Sequence, residues 1–324
     1  MKTTPHLTIE DFDRQYSTSN KVLRALLEFR MSEDGFCFNP NCPYDVPINK
    51  YYVPVSNRTA FLCRMCQEHF YPMADSIMYK SHVRPEHWFQ VIYRMLASRN
   101  GISMQEIFRT YGYQLPTVFN MMHAIRRQMN KCLDFKFQNI VVEIDASGVS
   151  TGKKGYNKHF KMKSGRGSQR KANVLVIKSR GNKAKFYIVN SEEEESVLRV
   201  IEQEVDKSCL IITDEFGAYN ALTRHGYNHV VINHKSANGK ARRFKDGIAS
   251  TNYAEGLFSV LKRNIRGAHI HVSNTYLENY LSECAFRLTY AEEFDYGFNI
   301  LINSFGSLSN HYSKHPGKPH RKIA

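Results

Sequence analysis

The sequence predicts a multidomain protein: an N-terminal metal-stapled β-ribbon and a helix-turn-helix, then an α/β domain with a five-stranded mixed sheet. Three observations lead there. Four cysteines fall in two close pairs, segments of helical period follow them, and from residue 140 apolar strands alternate with amphipathic helices. The expected boundaries are a helical segment over 1–30, the ribbon over 31–75, a helical region over 76–136, the α/β domain over 137–306 and a flexible basic tail over 307–324.

The cysteine pairs are Cys37 and Cys42 in CFNPNC and Cys63 and Cys66 in CRMC. Two pairs some twenty residues apart fit a zinc ribbon, each pair on a turn and a β-hairpin between them. The intervening YYVPVSNRTAFL supplies two β-rich runs around Ser56-Asn57-Arg58. Four thiolates close a tetrahedral site, so this zinc is expected to be structural. A ribbon this short has too little core to stand without such a staple. Cys132, Cys209 and Cys284 are isolated and read as core residues, and an odd total of seven does not suit a secreted disulfide framework.

After the ribbon, PEHWFQVIYRMLASRN has Trp88, Ile92 and Leu96 at helical spacing. ISMQEIFRTYGYQLPTVFNMMHAIRRQM then has the rhythm of a helix-turn-helix, with a first helix over 103–110, Gly112 opening the turn and Pro116 in the first turn of the second helix. Arg126 and Arg127, near the end of that helix, are candidates to reach phosphates or base edges.

In the α/β domain, IVVEIDAS is a buried strand whose acids Glu143 and Asp145 alternate onto one side. KANVLVIKSRGNKAKFYIVN reads as a hairpin, SEEEESVLRVIEQEVDKS as a helix capped by Ser191, CLIITDEFGAYNAL as a strand ending at Asp214 before a short helix, and HVVINH as a fifth strand. Short connections make the first three strands antiparallel, and helical crossovers make the later two parallel to the first. Asp145 and Asp214 then end neighbouring strands, where open α/β sheets place their sites. TNYAEGLFSVLKRNIRGAHIHVS forms the last helix of the set, with Glu255 and Lys262 seven residues apart on one face. Clustered carboxylates repel unless cations lie between them, and oxygen ligands suit Mg²⁺ or Mn²⁺; two such ions serve phosphodiester chemistry.

The charge points to the partner. There are 45 Lys and Arg against 30 Asp and Glu, an excess of 15. Residues 146–171 hold eight Lys or Arg, among them Lys153 and Lys154, with Tyr156, Phe160 and no acid. That pattern favours nucleic acid. No run of 18 apolar residues is present, and the N-terminus has no apolar signal region, so a cytoplasmic, nucleoid-associated protein is expected.

Together VEID, TDEFGAYNAL, YLSECAFRLTY and above all the TN-x-x-EG-x-x-S-x-LKR-x-x-x-G run resemble the zinc-ribbon DDE transposases of small bacterial insertion sequences, the "fifteen ninety-five" group. The resemblance implies an RNase H-like catalytic domain and a triad of Asp145, Asp214 and Glu255 holding two Mg²⁺ or Mn²⁺ ions. It implies nicking at element ends, joining of the 3′-OH to target DNA, and a dimer or larger assembly on double-stranded DNA. Lys262 is then the associated basic residue, with Arg263 and Arg266 beside it and His269 or His271 as possible contacts to DNA or the site. Asn252 is the alternative third ligand, one helical turn before Glu255; the seven-residue spacing to Lys262 favours Glu255. Two rival readings are a non-catalytic DNA-binding regulator and a metal-dependent nuclease that does not join.

Overall fold

The computed structural model describes residues 7–30, 39, 42, 52–54, 60–151, 171–189, 194–232, 252–270 and 272–305. Expectations for Cys37, Lys153, Lys154, Tyr156, Phe160, Ser191, His271 and the tail over 307–324 lie outside these residues, as does the side chain of Asn252. The chain forms two compact units. The first takes residues up to Ala97, Gln105–Gln128 and residues from Glu293 on; the second takes Ser98–Met104 and Met129–Glu292.

The first unit opens with α1 (Ile9–Tyr16) and α2 (Ser19–Arg30). Thr8 caps α1 by accepting the Asp11 backbone N–H at 3.2 Å, and Glu10 and Asp11 complement the helix dipole. Three short strands follow, β1 (Tyr52–Pro54), β2 (Phe61–Cys63) and β3 (His69–Phe70), in the order β1-β2-β3 and antiparallel throughout. The first pair is the expected hairpin; the third strand was not expected, because two residues carry no legible period. A tight turn joins β2 to β3, closed by Gln67 N donating to Cys63 O at 2.9 Å, with Gln67 at φ 59°. Next come α3 (Pro85–Ala97), α4 (Met104–Tyr111) and α5 (Leu115–Cys132). Gly112 ends α4 at φ +72°, a conformation that glycine adopts without strain, and Pro116 lies in the first turn of α5 as expected.

The second unit is built on β4 (Val141–Ser150), β5 (Lys171–Ser179), β6 (Ala184–Val189), β7 (Leu210–Asp214) and β8 (Asn228–Ile232), with α6 (Glu194–Glu204), α7 (Ala221–Arg224), α8 (Asn252–Asn264) and α9 (Asn274–Thr289) around them. The sheet runs β6-β5-β4-β7-β8. Strands β4, β5 and β6 are antiparallel, and β7 and β8 run parallel to β4, so the expected five-stranded mixed sheet is present. One face is apolar: Val142, Ile144, Leu175, Ile177 and Ile211 pack with Val197 and Ile201 of α6 and with Tyr219 and Leu222. Glu143, Asp145 and Ser147 alternate onto the opposite face, where Phe258 of α8 meets Phe186 edge-on at 6.3 Å.

The last helix corrects the expected domain boundary. α10 (Phe294–Asn303) lies inside the 137–306 range assigned to the α/β domain, yet it belongs to the first unit. Phe298 packs edge-on against Phe12 and Phe89 with centroids 5.7 and 5.6 Å apart, and Leu7 N donates to Asp295 Oδ1 at 2.8 Å. Its buried stripe of Phe298, Leu301 and Ile302 demands an apolar partner, and a stripe alone does not name which one.

Candidate active site and cysteine centre

Strand β4 pairs with β7 through Val141↔Leu210, Val142↔Ile211 and Glu143↔Ile212. Continued along both strands, that register sets Asp145 level with Asp214. Each carboxylate is oriented locally: Asp145 Oδ1 accepts the Ala146 N–H at 2.8 Å, and Asp214 Oδ1 accepts the Phe216 N–H at 3.1 Å where β7 turns into its short helices. Glu255 comes from the first turn of α8 and is exposed.

Electrostatics tie the three together. The Asp145 carboxyl is pushed up to about 6, first by burial and then by the negative charges of Asp214 and Glu255, while its hydrogen bond to Ala146 and the Lys262 ammonium oppose the rise. Burial lowers Lys262, which Asp145 partly restores and Arg266 and Lys171 depress further. The Lys262 ammonium donates to Ser147 Oγ at 2.8 Å and lies 5.5 Å from the Phe258 ring centroid.

The position of α8 depends on a residue to which sequence reasoning gave no role. Glu143 is fully buried, and its Oε2 accepts the backbone N–H groups of Tyr253 and Ala254 at 3.1 and 3.3 Å. These are donors that a helix start cannot satisfy internally, and a carboxylate there also meets the positive end of the dipole. Glu143, Asp145 and Ser147 thus occupy successive positions on one face of β4. The outer two hold α8, at its start and at Lys262, and Asp145 lies between them. The spans agree: four strand steps cover about 13 Å and the eight helical steps from Ala254 to Lys262 about 12 Å. The strand's alternation was the available signal for Glu143 and Ser147.

Other expected contacts divide. Arg127, Arg263 and Arg266 are exposed. Arg126 is fully buried, which corrects its expected reach to phosphate: it falls on the inward stripe of α5 with Met122 and Met129. His269 stacks edge-on with Tyr280 at 4.6 Å, a packing contact.

In the first unit, the Sγ atoms of Cys42, Cys63 and Cys66 all lie within 4.8 Å of one another. Among the described residues this is the only such group of three His, Cys, Asp or Glu. Thiolates around one tetrahedral zinc are separated by roughly 3.8 Å, so the sulfur set fits zinc in donor type and spacing. Cys209 and Cys284 are buried, matching their reading as core residues, and Cys132 is half-buried.

Residues 140–289, a span that contains the whole five-stranded sheet, α8 and α9, match the ISXO2-like transposase domain. That match covers most of the second unit. Comparison with curated proteins gives no match. The transposase domain thus covers all three acids, Lys262 and the Glu143 clamp, while the cysteine centre lies outside it. Among the described residues, no helix is long and apolar enough to cross a membrane.

Proposed function

We propose that this protein is a DDE transposase that binds the ends of its element, nicks DNA and joins the freed 3′-OH to target DNA. The observation that carries the reading is that Asp214, from the adjacent parallel strand, and Glu255, from α8, both act electrostatically on Asp145, within a span that matches a transposase domain. The RNase H-like fold assignment belongs to the same reading, supported by the mixed sheet and its strand order. Asp145, Asp214 and Glu255 would hold Mg²⁺ or Mn²⁺, which would activate the attacking oxygen and stabilise the leaving one. Asn252 is the alternative to Glu255, at the start of the same helix.

The chain's own residues supply the setting. Glu143 and Ser147 register α8 on β4, so the third acid arrives beside the first two. Burial raises the Asp145 carboxyl to about 6, so below that pH a bound cation would compete with its proton. Lys262 and Arg263 lie in the last turn of α8 and Arg266 in the π-helical turn that follows, and they would neutralise DNA phosphates. A structural zinc on the cysteines would stabilise the ribbon, and α4 and α5 would form a helix-turn-helix that contacts DNA through Arg127. Bringing two ends together calls for a dimer or larger assembly.

The test is a cleavage and joining assay on the element's own ends with Mg²⁺ or Mn²⁺, wild type beside Asp214→Asn and Glu255→Gln. Wild type should cut and join, and both variants should bind DNA and do neither. Cleavage without joining would leave a nuclease; binding without cleavage would leave a regulator. Full activity of Glu255→Gln would move the third ligand to Asn252.

A further inference from the structure

We propose that the concave face formed by residues 71–85 of the first unit binds an unpaired nucleotide at a DNA end. The proposal rests on the transposase reading and adds a site to it.

A cavity of about 670 Å³ lies between Ser19, at the start of α2, and the segment leading into α3. Its wall carries Tyr71 and Tyr79, which are 43% and 49% exposed, and three basic side chains, Lys80, His82 and Arg84. No acidic residue lines it. Two large rings left in water at one cavity give up burial that the fold normally takes, which marks a surface with a partner. The Lys80 ammonium lies 5.3 Å from the Tyr79 ring centroid, so charge and π-face are presented side by side.

The segment is also held in shape. Asp75 and Lys80 sit at φ 54° and 55°, where non-glycine residues are strained unless their surroundings fix them. The fixing contacts are present: Ser81 Oγ accepts from Trp88 Nε1 at 3.2 Å and from Val83 N at 3.1 Å, and Arg84 N donates to Tyr113 Oη at 3.1 Å. These bonds hold the segment that directly follows Tyr79 and Lys80.

The chemistry of the wall selects the ligand. Glu86 neutralises Arg84 and accepts from Ser19 behind the wall, while Lys80 favours phosphate and the exposed tyrosines favour a flat aromatic surface. Bases inside a duplex hide their faces in the stack, so a ring can take only a base that has left it. Arg84 is engaged by Glu86 at 2.5 Å, which leaves Lys80 as the freer cation of the wall.

The experiment uses the full chain and two fluorescein-labelled duplexes of the element end, one blunt and one with a two-nucleotide single-stranded overhang, followed by anisotropy. Wild type should bind the overhang duplex more tightly. The double substitution Tyr79→Ala with Lys80→Ala should weaken overhang binding about tenfold or more, since one stacked base accounts for that much. Blunt-duplex affinity should change little beyond the one lost cation. Both side chains are exposed, so the variant should melt with wild type; Tyr71→Ala provides an independent second variant. A variant pair that keeps the overhang preference, or a wild type that shows none, overturns the pocket and leaves the transposase reading standing. A wild type that binds neither duplex overturns both.

Discussion

Removing the Glu143 carboxylate should loosen α8 and with it the third acid. Glu143→Ala deletes two hydrogen bonds, of 3.1 and 3.3 Å, from a buried charged acceptor. Bonds to charged groups contribute about 1.5–3 kcal/mol each, and the Tyr253 and Ala254 donors lose their acceptor. Lys178 lies directly opposite on β5; burial lowers it and Glu143 raises it back, so the alanine also leaves a partly buried ammonium less compensated. Loss of the carboxylate's own desolvation cost offsets part of this. A net destabilisation of about 2–4 kcal/mol follows, which for a unit of this size lowers Tm by roughly 5–15 °C. Glu143→Gln keeps one oxygen acceptor and should fall between. The assays are thermal unfolding and end cleavage against Mg²⁺ concentration. The alanine variant should need more Mg²⁺ for half-maximal cleavage, and glutamine should restore much of it. If Glu143→Ala melts with wild type and cleaves at the same Mg²⁺, Glu143 does not hold α8.

Three further perturbations have definite signs. Gly256 lies inside α8, and an added Cβ there meets nothing within 4 Å, so Gly256→Ala should stabilise the fold by about 0.5–1 kcal/mol and raise Tm; lost cleavage in that more stable protein would mark the outward face of α8 as lying against DNA. The folded Asp145 carboxyl, at about 6, holds its proton more tightly than the unfolded group at 3.8, so without Mg²⁺ its unfavourable contribution is absent below about pH 4 and grows as pH rises through 6. Asp145→Asn should therefore melt above wild type at pH 7 and close to it at pH 4, in Mg²⁺-free buffer that retains zinc; the same gap at both pH values would contradict the assignment. Cys66→Ser, or a strong zinc chelator, should release about one zinc per chain and unfold the ribbon, because zinc contributes on the order of 10 kcal/mol to such folds; metal analysis that finds no zinc in wild type would remove the ribbon's staple from the account.

Some of this was legible without coordinates. Strands β4 to β8 announced themselves through apolar runs and turn residues, and connection length alone set which pairs run parallel. Gly112 and Pro116 marked the break between α4 and α5 because each has a backbone preference that few other residues share. Asp214 was legible as the end of β7, whereas Asp145, expected at a strand end, lies midway along β4, which runs on to Ser150; period-2 alternation set the face each one takes.

The sequence by itself thus determined what local chemistry determines: element type, strand direction, the cysteine pairs, and which side chains can share a face. The tertiary structure decided which faces meet. Glu143 read as one more polar residue on a strand until α8 placed two backbone donors against it. Arg126 read as a surface cation until the first unit closed over it, and α10 read as the end of the α/β domain until its Phe298 met Phe12 and Phe89. The physical reason is common to all three. Burial depends on contacts between residues far apart in the chain, and an apolar stripe or a lone charge specifies the kind of partner it needs without specifying which segment provides it.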